Sequence, residues 1–310
     1  MRTGVRPAAN AAHPLLGRLP GLVIVVAAAL VATASTTDPE PPGGSKCGRQ
    51  RPGSATITLT SSGLERSALV HVPPSAVGRR LPLVVALHGA GGSGPWMESY
   101  TGLSRLGDRT GFIVAYPTAS GSPARWNFAG GSGRAPDDVA FIRDLLAALV
   151  SRTCVDPNRV YATGVSNGGG MAARLGCELS DRLRAIAPVA GGYSTLPPCS
   201  PVRPVSVLEI HGTGDHVVPY GGRGAGHAGD VLRFVRGWAK RDRCPRHAAR
   251  SAPARAVRRL IWAPCDKGTV VEHLRLLGGE HEWSDAEHEP GRRSGLSASA
   301  AVLRFFAGRR

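Results

Sequence analysis

The 310-residue sequence lacks the short patterns that bind metal ions or nucleotide phosphates. It contains no His-Glu-x-x-His pattern, no pair of Cys-x-x-Cys patterns and no Gly-x-x-x-x-Gly-Lys-Ser/Thr loop. It also contains no internal repeat. We therefore expect a chemistry that relies on protein side chains and backbone alone, with no metal ion and no organic cofactor.

Acidic and aromatic residues are both scarce. There are 22 Asp and Glu residues against 38 Lys and Arg, which gives a net charge of +16, and aromatic residues make up 5%. The densest basic segment, residues 243–259, lacks the interleaved aromatic side chains that would favour nucleic-acid binding. We expect a solvated basic face on a monomer with no nucleic-acid partner; contact with an acidic cell envelope remains an alternative.

The N-terminal apolar run is short for a membrane-spanning helix. Residues 22–34 are apolar, whereas a span needs about 20 residues. Arginines and no acidic residue precede the run, and small residues end it, which is the layout of a secretory signal peptide. We therefore expect a secreted protein, with an uncleaved membrane anchor as the alternative. The predicted organisation is a signal peptide over 1–34, a Pro/Gly-rich tether over 35–53 and one folded domain over 54–310.

Six cysteines follow the predicted leader. An even number of cysteines in an exported chain favours disulfides, although six allow many pairings. Free buried thiols at one or two positions remain the alternative. The pairs that we expect are Cys177–Cys199, Cys244–Cys265 and Cys47–Cys154.

Strand and helix patterns alternate along the chain, which predicts an α/β fold with a mostly parallel central sheet and helices on both faces. Predicted strands cover residues 55–59, 68–72, 82–87, 112–116, 160–165, 185–189, 205–211, 260–263 and 270–277. Predicted helices cover residues 100–109, 138–151, 169–177, 229–241 and 297–306.

The sequence Gly164-Val165-Ser166-Asn167-Gly168 lies between a predicted strand and a predicted helix. Glycines two residues either side of the serine allow a sharp turn that exposes the hydroxyl, as in enzymes with a serine nucleophile. The pattern is weak by itself in a chain with 41 glycines. Its strand–turn–helix setting makes Ser166 the predicted nucleophile.

Partners for Ser166 follow in the order acid, then histidine. Asp215 lies just beyond the strand that ends at His211, and His281 lies just beyond the last predicted strand. Functional groups in open α/β sheets collect at the carboxyl ends of strands. We therefore predict Asp215 as the catalytic acid and His281 as the catalytic base.

A glycine-rich segment, residues 88–92, follows the buried strand 82–87. Such a loop allows backbone N–H groups to approach a substrate oxygen, and we predict an oxyanion hole made by the N–H groups of Ala90 and Asn167. A flexible loop is the alternative. His88 and Trp126 are predicted substrate-binding residues, with a packing role as the alternative for Trp126.

The motifs together resemble the secreted polyhydroxybutyrate depolymerase and feruloyl esterase family over residues 55–308. They are LHGAGGSG (87–94), GFIVAYP (111–117), DDVAFI (137–142), ATGVSNGGGMA (162–172), IAPVAG (186–191), HGTGDHVVPYGG (211–222) and GGEHEW (278–283). The resemblance implies an α/β-hydrolase fold, with 54–310 as the catalytic domain. It also implies the same roles for Ser166, Asp215, His281 and Ala90.

We therefore predict a secreted serine esterase that hydrolyses polyhydroxyalkanoate, feruloyl or acetyl esters through an acyl-enzyme. One alternative is an acyltransferase outside the cytoplasm, because the same acyl-enzyme can be attacked by an alcohol instead of water. A non-catalytic envelope-binding relative and a serine peptidase are further alternatives.

Overall fold

A computed structural model describes residues 51–130, 136–221, 231–284 and 295–309. The predicted signal peptide and almost all of the predicted tether lie outside these residues, as does Cys47 of the expected Cys47–Cys154 pair.

The described residues include ten strands that form one sheet in the order β1-β2-β4-β3-β5-β6-β7-β10-β9-β8. The six central strands, from β4 to β10, run parallel, and two antiparallel strands flank them at each edge. The predicted mostly parallel sheet is confirmed. The strands are β1 (Gly53–Ser61), β2 (Leu64–Val72), β3 (Leu81–Leu87), β4 (Ile113–Pro117), β5 (Val155–Val165), β6 (Ala185–Val189), β7 (Ser206–Gly212), β8 (Ala249–Ala254), β9 (Val257–Trp262) and β10 (Val271–Leu276).

Helices cover both faces of the sheet, because alternate side chains of each buried strand point to opposite sides. On β3, Leu83 and Val85 belong to a buried cluster that includes residues of the helices 138–152, 167–178 and 231–241, whereas Val84 and Ala86 belong to a second cluster that includes residues of the helices 94–101, 103–110 and 298–307. The helices are α1 (Gly94–Thr101), α2 (Leu103–Thr110), α3 (Asp138–Arg152), α4 (Asn167–Glu178), α5 (Val231–Arg241) and α6 (Ala298–Ala307).

Two elements differ from the prediction. The single helix expected over 100–109 is two helices, α1 and α2, which meet at Gly102 in a left-handed conformation with φ 61°. Strand β8 was not predicted, because its residues are almost all exposed and show no apolar alternation. It forms the outer edge of the sheet and carries Pro253 and Arg250, which are typical of edge strands that resist pairing with another chain.

Two of the expected disulfides, Cys177–Cys199 and Cys244–Cys265, are confirmed. The first joins the end of α4 to the loop before β7, and the second joins the residues after α5 to the loop after β9. Among the described residues, no helix is both long and apolar enough to span a lipid bilayer.

Candidate active site

Ser166 lies on a tight turn between β5 and α4. Its φ of 56° and ψ of −117° are unusual for a residue with a side chain. A Cβ atom on Gly164 would lie 2.4 Å from the carbonyl oxygen of Gly168, and one on Gly168 would lie 2.2 Å from that of Leu87. Both positions therefore require glycine, because only then can β3, β5 and α4 approach closely enough to form the turn.

Asp215 and His281 lie in loops that follow two adjacent parallel strands. β7 and β10 are paired as far as Gly212 and Leu276, so the two loops leave the same edge of the sheet. His281 Nδ1 lies 2.8 Å from Asp215 Oδ2, and His281 Nε2 lies 2.8 Å from Ser166 Oγ. The structure thus brings together the serine, aspartate and histidine that were singled out in the sequence.

The Asp215 carboxylate accepts hydrogen bonds on both oxygens. Oδ1 accepts from the backbone N–H groups of Val217 and Val218, at 2.9 and 2.7 Å. Oδ2 faces His281 and also lies 3.2 Å from Nε2 of a second histidine, His211. Burial opposes the charge, but the hydrogen bonds from His211 and His281 hold the pKa of Asp215 well below its usual range.

A cluster of buried polar side chains lies behind Asp215. The side chains of Glu209, His211 and His273 have no exposed surface. His211 Nδ1 lies 3.0 Å from Glu209 Oε1, which also accepts a hydrogen bond from the hydroxyl of Tyr193 at 2.9 Å. Burial opposes both charges. Contacts with Asp215 and Glu209 nevertheless raise the pKa of His211, and contacts with His211 and His273 lower that of Glu209. Both shifts favour the charged forms, a carboxylate on Glu209 and an imidazolium on His211.

Sequence reasoning did not assign this cluster to the site. Glu209 and His273 lie inside strands, and His211 at the end of one, so each resembles an ordinary strand residue. The only sequence signal was a charged residue, Glu209, within the apolar run of β7, which requires a buried partner.

The glycine-rich loop after β3 passes close to Ser166. A Cβ atom on Gly89 would lie 3.7 Å from the Cβ of Ser166. Within the part of the chain that the structure describes, no backbone oxygen accepts the N–H of Ala90 or of Asn167. The side chain of Asn167 is held by the backbone of Trp126. The Trp126 backbone N–H donates to Asn167 Oδ1 at 2.7 Å, and the Trp126 carbonyl oxygen accepts from Asn167 Nδ2 at 3.1 Å.

His88 and Trp126 lie behind this loop rather than on an open surface, since their exposed fractions are 0% and 2%. The Trp126 indole N–H donates to the carbonyl oxygen of His88 at 3.0 Å. His88 Nε2 accepts from the N–H of Ala119, and its Nδ1 lies 2.7 Å from the oxygen of Gly89. Burial lowers the pKa of His88, which favours this neutral form. Both side chains therefore brace the loop from its buried side.

A buried ion pair supports the Trp126 segment. Arg66 on β2 lies 2.8 Å from Asp138 Oδ1, and the backbone N–H of Asn127 donates to the other Asp138 oxygen at 2.7 Å. The Arg66 guanidinium also lies 3.9 Å from the centre of the Phe141 ring. The first residue of α3 thus ties β2 to the segment that holds Asn167.

Trp96 is an exposed aromatic residue beside the loop that sequence reasoning missed. Its exposed fraction is 44%, a Cβ atom on Gly92 would lie 3.1 Å from its ring, and the ring stacks on Tyr100 at 4.5 Å between ring centres. The Tyr100 hydroxyl in turn accepts a hydrogen bond from the N–H of Trp283, two residues after His281. A tryptophan soon after the glycine-rich loop was the signal that could have indicated it.

Comparison with known proteins places the chain in a family. A family model described as esterase PHB depolymerase matches residues 66–195. The NocK protein of Nocardia uniformis subsp. tsuyamanensis is 32% identical over 250 residues, which cover 72% of this chain and 72% of NocK. The chain belongs to the esterase PHB depolymerase family. The resemblance that the sequence motifs indicated is confirmed.

Other relatives of this PHB depolymerase family member are longer proteins. Feruloyl esterase B of Piromyces equi is 31% identical over 241 residues, which cover 72% of this chain and 44% of that protein. The bifunctional acetylxylan esterase/xylanase XynS20E of Neocallimastix patriciarum is 27% identical over 226 residues, which cover 70% of this chain and 31% of that protein. The chain therefore spans less than half the length of these two relatives.

Solved structures confirm the α/β-hydrolase fold of this PHB depolymerase family member. The acetyl xylan esterase from Aspergillus awamori matches with a TM-score of 0.61 at 14% identity, over 82% of this chain and 99% of that one. An S-formylglutathione hydrolase from Agrobacterium tumefaciens matches with a TM-score of 0.55 at 13% identity, over 83% and 95%. At these identities the likeness concerns the fold alone.

Proposed function

We propose that this protein is a serine carboxylic-ester hydrolase that forms an acyl-enzyme on Ser166. The observation that carries the proposal is the pair of 2.8 Å contacts that link Ser166 Oγ to His281 and His281 to Asp215. Membership of an esterase family supports the same reaction independently.

In the proposed reaction, Ser166 Oγ attacks the ester carbonyl carbon while His281 Nε2 accepts the serine proton. His281 then gives that proton to the leaving alcohol as the ester C–O bond breaks, and the acyl group remains on Ser166. A water molecule next attacks the acyl-enzyme while His281 takes a proton from it. His281 returns that proton to Ser166 Oγ as the bond between Oγ and the acyl carbon breaks, which releases the carboxylic acid and restores the free serine. Asp215 keeps a proton on Nδ1 of His281 and stabilises the imidazolium as it forms.

The N–H groups of Ala90 and Asn167 would donate to the carbonyl oxygen as it becomes negatively charged. Both lack a backbone acceptor among the described residues, which supports this role. Loss of one such donor costs about 10² to 10³ in turnover. His88 and Trp126 would set the position of the loop, and so act as positioning residues rather than as substrate contacts.

The exposed ring of Trp96 supports a substrate that carries a flat ring, such as a feruloyl ester. The proteins named feruloyl esterase B and acetylxylan esterase/xylanase suggest aromatic and acetyl esters as the two substrate classes to compare. Stacking on an aromatic side chain is worth about 1 kcal/mol, or roughly fivefold in KM. Trp96→Ala should therefore raise KM for methyl ferulate by about that factor and leave KM for an acetyl ester unchanged, whereas Trp96→Phe should retain most of the preference. An equal effect on both esters would contradict the assignment.

We further propose that the enzyme acts outside the cytoplasm as a monomer, with an ester as its only required partner. Two disulfides are typical of an oxidising compartment, and the sequence predicts a signal peptide. Fractionation of an expressing culture should place the activity in the medium. Activity confined to the membrane pellet would instead support an uncleaved anchor.

The reaction is tested with a panel of p-nitrophenyl acetate, methyl ferulate and polyhydroxybutyrate film. Ser166→Ala should lower turnover of every substrate that the wild-type protein hydrolyses by about 10⁶, as in other serine-triad enzymes. Hydrolysis that survives this substitution would reject Ser166 as the nucleophile. An acyltransferase would be indicated if an added alcohol captured the acyl group in preference to water.

A further inference from the structure

We propose that Glu209 and His211 form a buried ion pair that positions the Asp215 carboxylate, so that turnover depends on a glutamate that never touches the substrate. The inference rests on the proposed serine-hydrolase function. It concerns residues beyond the three that the reaction itself uses.

The contacts of His211 define its protonation state. Its Nε2 lies 2.8 Å from the carbonyl oxygen of Val218 and 3.2 Å from Asp215 Oδ2, both of which can only accept a hydrogen bond. Its Nδ1 lies 3.0 Å from the Glu209 carboxylate, which also accepts. Because both ring nitrogens face acceptors, both carry a proton, and the ring is an imidazolium.

This imidazolium places a fixed positive charge on one side of Asp215. Asp215 Oδ2 is shared between His211, which holds it, and His281, which it orients. The Val218 carbonyl accepts from His211 while the Val218 N–H donates to Asp215 Oδ1 at 2.7 Å. His211 therefore fixes the acid directly and also fixes the loop that carries the acid.

Glu209 keeps the charge on His211. Its side chain has no exposed surface, so an unpaired charge there would be strongly unfavourable. Its Oε1 accepts hydrogen bonds from His211 Nδ1 on β7 and from the Tyr193 hydroxyl after β6. Oε2 lies 2.7 Å from His273 Nδ1 on β10 but has no hydrogen-bond partner among the described residues. With a neutral side chain in place of Glu209, the His211 ring keeps Asp215 but loses the second of the two anions that make a second proton favourable.

Among the described residues, titratable and charged groups from several elements face the pair. They are Asp215 in the loop after β7, Tyr193 after β6, His273 on β10, Tyr220 with its ring edge-on to His211 at 6.0 Å, His281 through Asp215, and Arg275, which is paired with His211 across β7 and β10 and lies 5.1 Å from the centre of the Tyr220 ring. Tyr220 also lies 2.8 Å from His273 Nε2. Loss of the cation leaves the Asp215 carboxylate less well stabilised as an anion. When the pH is lowered, the variant should therefore lose activity at a higher pH than the wild-type protein does.

The main test is Glu209→Gln, which keeps the shape of the side chain and removes its charge. We expect kcat for p-nitrophenyl acetate to fall by about 10- to 100-fold. This is the range for residues that orient the ligands of a metal site from behind, and the Glu209–His211 pair would orient Asp215 in a comparable way. KM should change little, and the acid limb of the kcat profile should move to higher pH. The matched control is Glu272→Gln, because Glu272 lies on β10 and pairs with Arg259 away from this cluster.

Wild-type kcat and an unshifted pH profile in Glu209→Gln would overturn the inference, as would equal losses in Glu272→Gln. The Ser166→Ala measurement separates failure of this inference from failure of the proposed function. If the proposed function is wrong, Ser166→Ala stays active; if only this inference is wrong, Ser166→Ala is inactive. If Glu209→Gln does not fold, His211→Gln tests the same charge. Independently of any variant, ¹⁵N spectra of the wild-type protein at pH 8 should show both ring nitrogens of His211 protonated; a neutral ring would overturn the proposal.

Discussion

A methyl group at Gly168 should uncouple stability from activity in a way that tests the geometry of the turn. The Cβ of Gly168→Ala would lie 2.2 Å from the carbonyl oxygen of Leu87 and 2.5 Å from that of His88. Such contacts are essentially never below 3.0 Å, so β3 and α4 must separate by at least 0.8 Å. Both obstacles are backbone atoms, and no side-chain rotation can relieve them.

Gly168→Ala changes the free energy of unfolding in two opposite ways, and the destabilising change is the larger. Alanine favours a helix over glycine by about 1 kcal/mol, whereas forced overpacking costs about 1–3 kcal/mol. Because the displaced segment carries the predicted oxyanion donors, a shift of about 1 Å should also lower kcat/KM by roughly 10²-fold. We therefore expect a modest loss of stability with a large loss of activity.

Hydrolysis of p-nitrophenyl acetate and thermal unfolding followed by circular dichroism measure the two effects. Gly192→Ala is the control, since no atom lies within 4 Å of the added Cβ and its backbone is not left-handed. This variant should resemble the wild-type protein in both assays. A fully active and fully stable Gly168→Ala protein would refute the close approach of β3 to the turn.

Three further predictions concern the support of the site and the stability of the fold. Asp242 is fully buried, and burial raises its pKa to about 7 from 3.8. Between about pH 4 and pH 7 the carboxyl group therefore holds its proton in the folded state and loses it in the unfolded state, so stability falls as the pH rises through this range. Since one pKa unit corresponds to about 1.4 kcal/mol, Asp242→Asn should raise the Tm at pH 8, with a gain that shrinks towards pH 4; a gain that does not vary with pH would contradict this. Trp126→Phe removes the indole N–H from the His88 carbonyl, which should cost about 1–3 kcal/mol of unfolding free energy and reduce kcat more than KM; unchanged kcat would show that the loop does not need this brace. Replacing both Cys177 and Cys199 by Ala opens a loop with a sequence separation of 22 and should cost about 3 kcal/mol in denaturant unfolding; an unchanged midpoint would contradict it.

Much of the central sheet could be predicted because its strands are continuous apolar runs. Leu83 to Leu87 are completely buried, and such a run between turn residues is typical of a parallel strand covered on both faces. The order of Ser166, Asp215 and His281 was equally readable, since each follows a predicted strand of one parallel sheet. Chain order and strand ends together indicate one edge of the sheet even where the residues are far apart in sequence.

The edge strand β8 and the boundary between α1 and α2 could not be predicted from the pattern of apolar residues. β8 is exposed along nearly its whole length, so burial imposes no alternation on its sequence. The predicted helix covered only residues 100–109, and nothing in the sequence indicated that a separate helix, α1, ends just before Gly102.

The buried support of the site depends on contacts between distant segments. Glu209 and His273 are 64 residues apart and meet because β7 and β10 are neighbours in the sheet, with His273 directly opposite Glu209. Trp126 was predicted as a substrate-binding residue with a packing role as the alternative, and its exposure of 2% favours packing. Spacing along the chain carries no information on either arrangement.

The most direct test of the central claim is to trap the acyl-enzyme. The protein is mixed with p-nitrophenyl acetate, quenched in acid within the first turnover, digested and analysed by peptide mass spectrometry, with Ser166→Ala and His281→Gln in parallel. The account predicts an acetyl group on Ser166 of the wild-type protein, none at this site in Ser166→Ala, and a greatly slowed appearance in His281→Gln. An acetyl group on another residue of an active wild-type protein, or rapid acylation without His281, would contradict it.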